Sequence, residues 1–155
     1  RHDIQALRGV AVLLVVFYHL KLGPTAAGYL GVDVFFVISG YLITKLVMEG
    51  IEQKRFRLGE FYMRRAKRLL PAAYVTIFLT ALCAPWFLNQ QELRDFALQV
   101  FGAVTFTANI VLWQRTGYFE VASELKPLLH MWSLAIEEQY YMLLPAVLLL
   151  PRRRG

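Results

Sequence analysis

Two stretches of this chain leave a folding protein few options. Leu69–Leu88 (LLPAAYVTIFLTALCAPWFL) and Phe96–Gln114 (FALQVFGAVTFTANIVLWQ) each run about twenty residues without a charge. A helix of that length is about 30 Å long, which matches the hydrocarbon core of a bilayer. Three further segments are long enough to span but less clean: Ile4–Leu22, Gly31–Met48 with Asp33 and Lys45 near its ends, and Ser133–Leu150 with two glutamates near its start. Helices of a soluble bundle would carry a polar face repeating every 3.6 residues, and these do not. Composition agrees, with 57% apolar and 18% charged residues against about 45–50% and about 25% in an ordinary soluble domain. The expected fold is all-α, a polytopic transmembrane helix bundle with about five hydrophobic segments.

Charge orients such a bundle. Most of the net +6 is concentrated between Gly50 and Pro71, where Lys54, Arg55, Arg57, Arg64, Arg65, Lys67 and Arg68 are opposed only by Glu52 and Glu60. The positive-inside rule places that loop in the cytoplasm. Counting back, the N-terminus with Arg8 is cytoplasmic and His19 lies towards the outer end of the first span. Counting forward, the three arginines of Pro151–Gly155 would emerge outside if all five segments cross. Either Phe96–Gln114 or Ser133–Leu150 is then re-entrant, or the tail misleads; the larger loop carries more weight. A cleaved signal peptide is the alternative for the first segment, with Arg1 and Arg8 before an apolar core and Thr25-Ala26-Ala27 as a loose cleavage site, but the later spans argue against it. The single cysteine, Cys83, permits neither an intrachain disulfide nor a cysteine-based metal site, and no metal is expected. The chain begins without methionine and stops at "LLLPRRRG", so a longer protein is expected. Membrane lipid is an expected partner and nucleic acid is not.

Polar residues inside apolar runs are the functional candidates. In "LRGVAVLLVVFYHLKLG", Arg8 and His19 are eleven positions apart, so on a helix they share a face and lie about 16 Å apart along its axis. An ionisable side chain within a span costs several kcal/mol unless paired or watered, which makes His19 a functional candidate. It could equally sit at the interface beside Tyr18 and Lys21, reaching for headgroups. Arg8 alone is ordinary at a cytoplasmic helix end. Glu137, Glu138 and Gln139 follow Ser133 by one turn, where a helix dipole would stabilise carboxylates. Adjacent glutamates point about 100° apart, so one can act while its neighbour supports. His130 is either interfacial or functional, and Ser39-Gly40, small and mid-span, suits close helix packing better than a nucleophile.

The runs "DIQALRGVAVLLVVFYHL", "GYLGVDVFFVISGYLIT", "FYMRRAKRLLP" and "PLLHMWSLAIEEQYYMLLP", in that order and at these spacings, resemble the N-terminal half of membrane-bound acyltransferase family 3. Within it they are most similar to the lipopolysaccharide and peptidoglycan O-acetyltransferase branch. The resemblance covers essentially the whole chain, residues 1–155. It implies a membrane part of around ten helices, about half of it represented here, with an extracytoplasmic hydrolase-like domain added in some members. It also implies a multi-pass enzyme of the bacterial cytoplasmic (inner) membrane, which moves an acyl group, most simply acetyl, from acyl-coenzyme A to a hydroxyl of a cell-surface glycan. Acyl-coenzyme A is then a co-substrate, with no bound cofactor.

Arg8 and His19 match the family's arginine–ten-residues–histidine motif, regarded as essential to acyl transfer. Arg65 and Arg68 match its arginine–two-residues–arginine motif, linked to donor binding. Arginine's planar fork suits phosphate, although the same loop could attract anionic headgroups instead. On this reading His19 is the general base or a transient acyl carrier, and Arg8 orients or polarises the thioester. Glu137 or Glu138 stands behind the imidazole. Asp33, Ser39, His130 and Gln139 are possible supports. A transporter half would also place His, Glu and Arg within spans, and an inactive piece of the acyltransferase is a further alternative. Sequence leaves the acceptor glycan and the oligomeric state open.

Overall fold

The computed structural model describes residues 2–22, 28–114 and 126–149, and the regular elements among them are all α-helices. These are α1 (His2–His19), α2 (Leu30–Glu52), α3 (Leu58–Phe87), α4 (Gln90–Val104), α5 (Ala108–Gln114) and α6 (Met131–Leu149). The arginines of Pro151–Gly155 and the Thr25–Ala27 stretch lie outside the described residues. The chain divides into two compact units, Arg1–Phe56 and Arg57–Gly155.

In the first unit α1 and α2 run antiparallel. Gly31 of α2 meets Ala11 and Val15 of α1, while Phe35, one turn on, lies under Arg8. Gly31 is there because nothing larger fits. A Cβ at that position would overlap the Ala11 carbonyl oxygen and come within 2.9 Å of Val15 Cγ2. Small residues at such crossings let two backbones approach and gain dispersion contacts where lipid offers no hydrophobic driving force. After α2 the chain turns through Lys54 at φ 53°, with the Gly50 carbonyl accepting from the backbone N–H groups of both Arg55 and Phe56.

The second unit departs from the sequence expectation in three places. The basic stretch expected as a loop is helical from Leu58 onward, because α3 runs 30 residues and carries Pro71 and Pro85 inside it. At about 1.5 Å per residue this helix is about 45 Å long, more than a bilayer core requires. Arg64, Arg65, Lys67 and Arg68 therefore sit on a helix continuous with an apolar segment.

The second departure is that Phe96–Gln114 does not form one span. α4 starts earlier, at a capping box in which Asn89 Oδ1 accepts from the N–H groups of Gln91 and Glu92 and Glu92 Oε2 accepts from Asn89 N–H. It stops at Val104, where Phe106 adopts φ 54°, Phe106 N–H donates to Ala103 O and Thr107 N–H to Gly102 O. That pair of bonds is the Schellman closure, usually built on glycine. α5 then folds back so closely that a Cβ on Gly102 would stand 3.0 Å from Ala108 Cα. At 15 and seven residues, neither piece alone reaches across a core of about 30 Å.

The third is α6, which begins two residues ahead of the expected Ser133 and holds a buried Pro145. The unit's core gathers Ala73, Ile77 and Ala84 of α3, Phe96 and Ala103 of α4, Ala108 and Leu112 of α5, and Met131 and Ala135 of α6.

Of these helices, α2 and α3 are long and apolar enough to cross a membrane, while the apolar part of α1, Ile4–His19, is shorter. Five full spans are therefore not what the described residues display. Leu7, Val10, Leu13 and Phe17 on α1, and Val75, Phe78, Leu82 and Trp86 on α3, are all exposed, a surface that calls for lipid or further helices.

Gly31→Ala should destabilise the α1–α2 pair by about 1–3 kcal/mol through overpacking. Gly9→Ala should be harmless, since a Cβ there meets nothing within 4 Å. Thermal unfolding of the two variants in the same detergent checks the contrast.

Candidate functional site

Each unit holds its own polar constellation. On α1, Arg8 is half-buried with its guanidinium 4.8 Å from the centroid of the Phe35 ring, a cation–π contact. No carboxylate among the described residues pairs with it. His19 closes the same helix, exposed, with Nδ1 2.8 Å from the Val15 carbonyl oxygen. A carbonyl only accepts, so Nδ1 is the donor of this contact, which leaves Nε2 as the ring nitrogen open to another group. The Tyr18 ring meets the imidazole edge-on at 5.4 Å and Tyr29 at 6.2 Å. Arg8 and His19 keep their separation of about 16 Å along one helix, so they cannot grip the same atom of a substrate. Asp33 is exposed in the first turn of α2, where the helix dipole favours it. Ser39 is 3% exposed, and its Oγ has no hydrogen-bond partner among the described residues.

The second unit is built around Arg65. One of its terminal nitrogens lies 3.6 Å from Glu138 Oε1 of α6, with the side chains 20% and 14% exposed. Its guanidinium carbon sits 3.4 Å from the Tyr141 ring centroid and 5.9 Å from that of Phe61. Glu137, pointing elsewhere as adjacent helical residues must, accepts from the Tyr141 hydroxyl. Within their own unit the two carboxylates thus meet a guanidinium and a phenol. The geometry separates the two arginines of one motif: Arg65 is enclosed, whereas Arg68, a turn later, is exposed and unpaired among the described residues. His130 stands in the turn before α6, where its carbonyl accepts from Ser133 Oγ at 3.0 Å. Desolvation lowers its imidazole below the ordinary 6.5, which favours the neutral ring.

Gln139 has a structural task. Its amide nitrogen donates to Phe106 O at 2.8 Å and to Asn109 Oδ1 at 3.0 Å, and Asn109 Nδ2 donates back to Gln139 Oε1 at 3.2 Å. The amide pair pins α6 to the break between α4 and α5. Gln99, which is buried, accepts from Leu128 N–H at 3.2 Å and holds the turn leading into α6.

Sequence reasoning missed Asn109, Gln99, Phe61 and Tyr141. Two signals were available. An amide inside a charge-free block needs a partner, and Phe61 stands four residues before Arg65, the spacing of neighbours on one helix face. Among the described residues no cluster of His, Cys, Asp or Glu could hold a metal ion.

With this geometry in place, comparison with known proteins is decisive on kinship. The sequence model of acyltransferase family 3, described as an acyltransferase domain, matches residues 1–155. The chain belongs to that family. The peptidoglycan O-acetyltransferase OatA of Listeria monocytogenes serovar 1/2a is 36% identical over 149 residues, covering 95% of this chain and 24% of OatA. A Staphylococcus aureus (strain COL) protein named as an O-acetyltransferase is 39% identical over 147 residues, 94% of this chain and 24% of that protein. Bacillus subtilis (strain 168) YrhL, named as a peptidoglycan O-acetyltransferase, is 36% identical over 147 residues, 94% of this chain and 23% of YrhL. The chain thus spans about a quarter of the length of the curated relatives it matches. No solved structure matches it. For this member of acyltransferase family 3, the helix break beside Gln139 is a testable part of the architecture. Asn109→Leu and Gln139→Leu should each lower stability, and their double-mutant cycle should return a coupling of about 0.5–2 kcal/mol. Reversible unfolding in micelles measures it.

Proposed function

We propose that this chain is the donor-handling part of an integral-membrane O-acetyltransferase of the bacterial cytoplasmic membrane. The donor is acetyl-coenzyme A and the acceptor a hydroxyl of peptidoglycan. Family membership and the names of the relatives support the reaction class and the acceptor. The observation that carries the mechanism is the contact made by His19: Nδ1 donates to a helix carbonyl on an exposed ring, which leaves Nε2 to act as the base. The Nε2 lone pair takes the proton from the sugar hydroxyl as its oxygen attacks the thioester carbonyl. The carbon–sulfur bond then breaks, and the thiolate of coenzyme A leaves and collects the proton. The same lone pair would serve an acetyl-imidazole relay.

Arg8 orients the donor at a point well removed from the reacting carbonyl, as its distance along α1 requires. Of the two motif arginines on the basic turn of α3, Arg68 stands exposed and serves the coenzyme A phosphates. Seven basic residues around α3's start favour the cytoplasmic side, where acyl-coenzyme A is available, and α2 and α3, each long and apolar enough to cross a membrane, support a multi-pass reading.

In the full-length protein reconstituted in vesicles, His19→Ala should abolish acetyl transfer while membrane insertion persists. Arg68→Lys keeps the charge and loses the fork, at a cost of about 1.5–3 kcal/mol, so the donor's binding constant should rise about ten- to a hundredfold. Arg55→Lys should change it little. Transfer by His19→Ala at the native rate, or equal small effects of both lysine variants, would overturn the assignment. Uptake of a labelled solute without any transfer would point to a transporter instead.

A further inference from the structure

Nothing in the arginine–two-residues–arginine spacing distinguishes its two members, but their surroundings do. Arg65 is enclosed on three sides: by the Tyr141 ring at 3.4 Å, by Phe61 at 5.9 Å and by the Glu138 carboxylate at 3.6 Å. Both rings are almost fully buried, at 2% and 3% exposure, so they do not move aside without disturbing the α3–α6 contact. A second bond joins the same two turns, since the Tyr62 hydroxyl donates to Met142 O at 2.9 Å. Arg68, by contrast, is exposed and has no partner among the described residues.

A phosphate approaching Arg65 would have to displace a carboxylate of its own charge sign from a site capped by an aromatic face. Approach to Arg68 displaces only solvent. We propose that Arg65 is a positioning residue: with Glu138, Tyr141 and Phe61 it locks the basic end of α3 against α6, and through that lock it aims Arg68, the guanidinium that meets the donor's phosphates.

The ion pair is longer than a hydrogen bond, and Arg65 Nε and Glu138 Oε1 are buried without hydrogen-bond partners. The lock therefore depends on charge and on cation–π attraction, both open to an ammonium, more than on directed hydrogen bonds. A lysine, which keeps the charge, should replace Arg65 tolerably. It should not replace Arg68, where the bidentate fork is what the phosphate reads.

The inference rests on the donor reading above, and its test separates the two. Coenzyme A itself is the probe, with equilibrium binding measured on the full-length protein in vesicles. Arg68→Lys should weaken binding about tenfold or more and Arg65→Lys less than about threefold. Arg65→Gln should weaken it severalfold in the native background and add nothing on top of Arg68→Gln, a dependence that a purely structural role would not produce. Glu138→Gln should weaken binding as well, because it opens the lock.

If Arg65 instead bound phosphate directly, Arg65→Lys would cost as much as Arg68→Lys, and Glu138→Gln would tighten binding by freeing a competitor's partner. Either result overturns the positioning role. A native protein that does not bind coenzyme A at all would defeat the donor reading. The lock would then be judged by thermal stability alone, where Arg65→Ala and Glu138→Ala must be strongly non-additive for it to stand.

Discussion

A polar group surrounded by hydrocarbon has no water to fall back on, and most of this structure follows from how each such group finds a partner. The hydroxyls of Thr44, Thr76, Thr80 and Thr105 bond back to carbonyls one turn earlier in their own helices, at 2.7–3.0 Å. The carbonyl of Phe106, released where α4 ends, is met by Gln139 from α6. Gln139 is satisfied in turn by Asn109. These bonds do more than remove a penalty, because each one that crosses between helices also selects a single way of packing them.

That selection is clearest between α3 and α6. Alanine, isoleucine and leucine faces would pack about as well one turn up or down. A guanidinium between two rings, opposite one carboxylate, fits in one register. The pair adds little net stability over an apolar contact of equal volume, since both charges lose hydration. Breaking it by removing one partner is costly all the same, about 3–5 kcal/mol, because a bare charge is left behind. The register is therefore specified by what would go wrong elsewhere.

How much of this was legible in the sequence depends on the range of the interaction. The charge-free block from Leu69, the apolar Gly31–Met48 run and the shared face of Arg8 and His19 are local patterns, and helices followed from them. The start of α3 at Leu58 was obscured by its charges, although Arg, Lys, Met and Ala are good helix formers and only Pro71 speaks against continuation. The break at Phe106 carries no glycine or proline; its signals are two threonines whose hydroxyls bond each other at 2.7 Å and an amide, Gln139, that is distant in sequence. The partner of Glu138 was beyond local reading altogether. Arg65 lies 73 positions earlier, and a resemblance that groups Arg65 with Arg68 by spacing conceals that one of them faces inward.

The polar residues consequently fall into two classes, and the division bears on function. Arg65, Glu137, Glu138, Gln139, Asn109 and Gln99 are engaged by other parts of the fold, Arg65 and Glu138 through charge and rings and the others through hydrogen bonds. Among the described residues, His19 Nε2 and the Arg68 fork have no partner, Arg8 is engaged through the face of its guanidinium, and Ser39 has a buried hydroxyl without a partner. A catalytic or ligand-binding group must keep an unsatisfied atom for the substrate, at a cost in stability that the committed groups offset. Residues of one sequence motif need not belong to the same class. In this chain the motif arginines separate along that line.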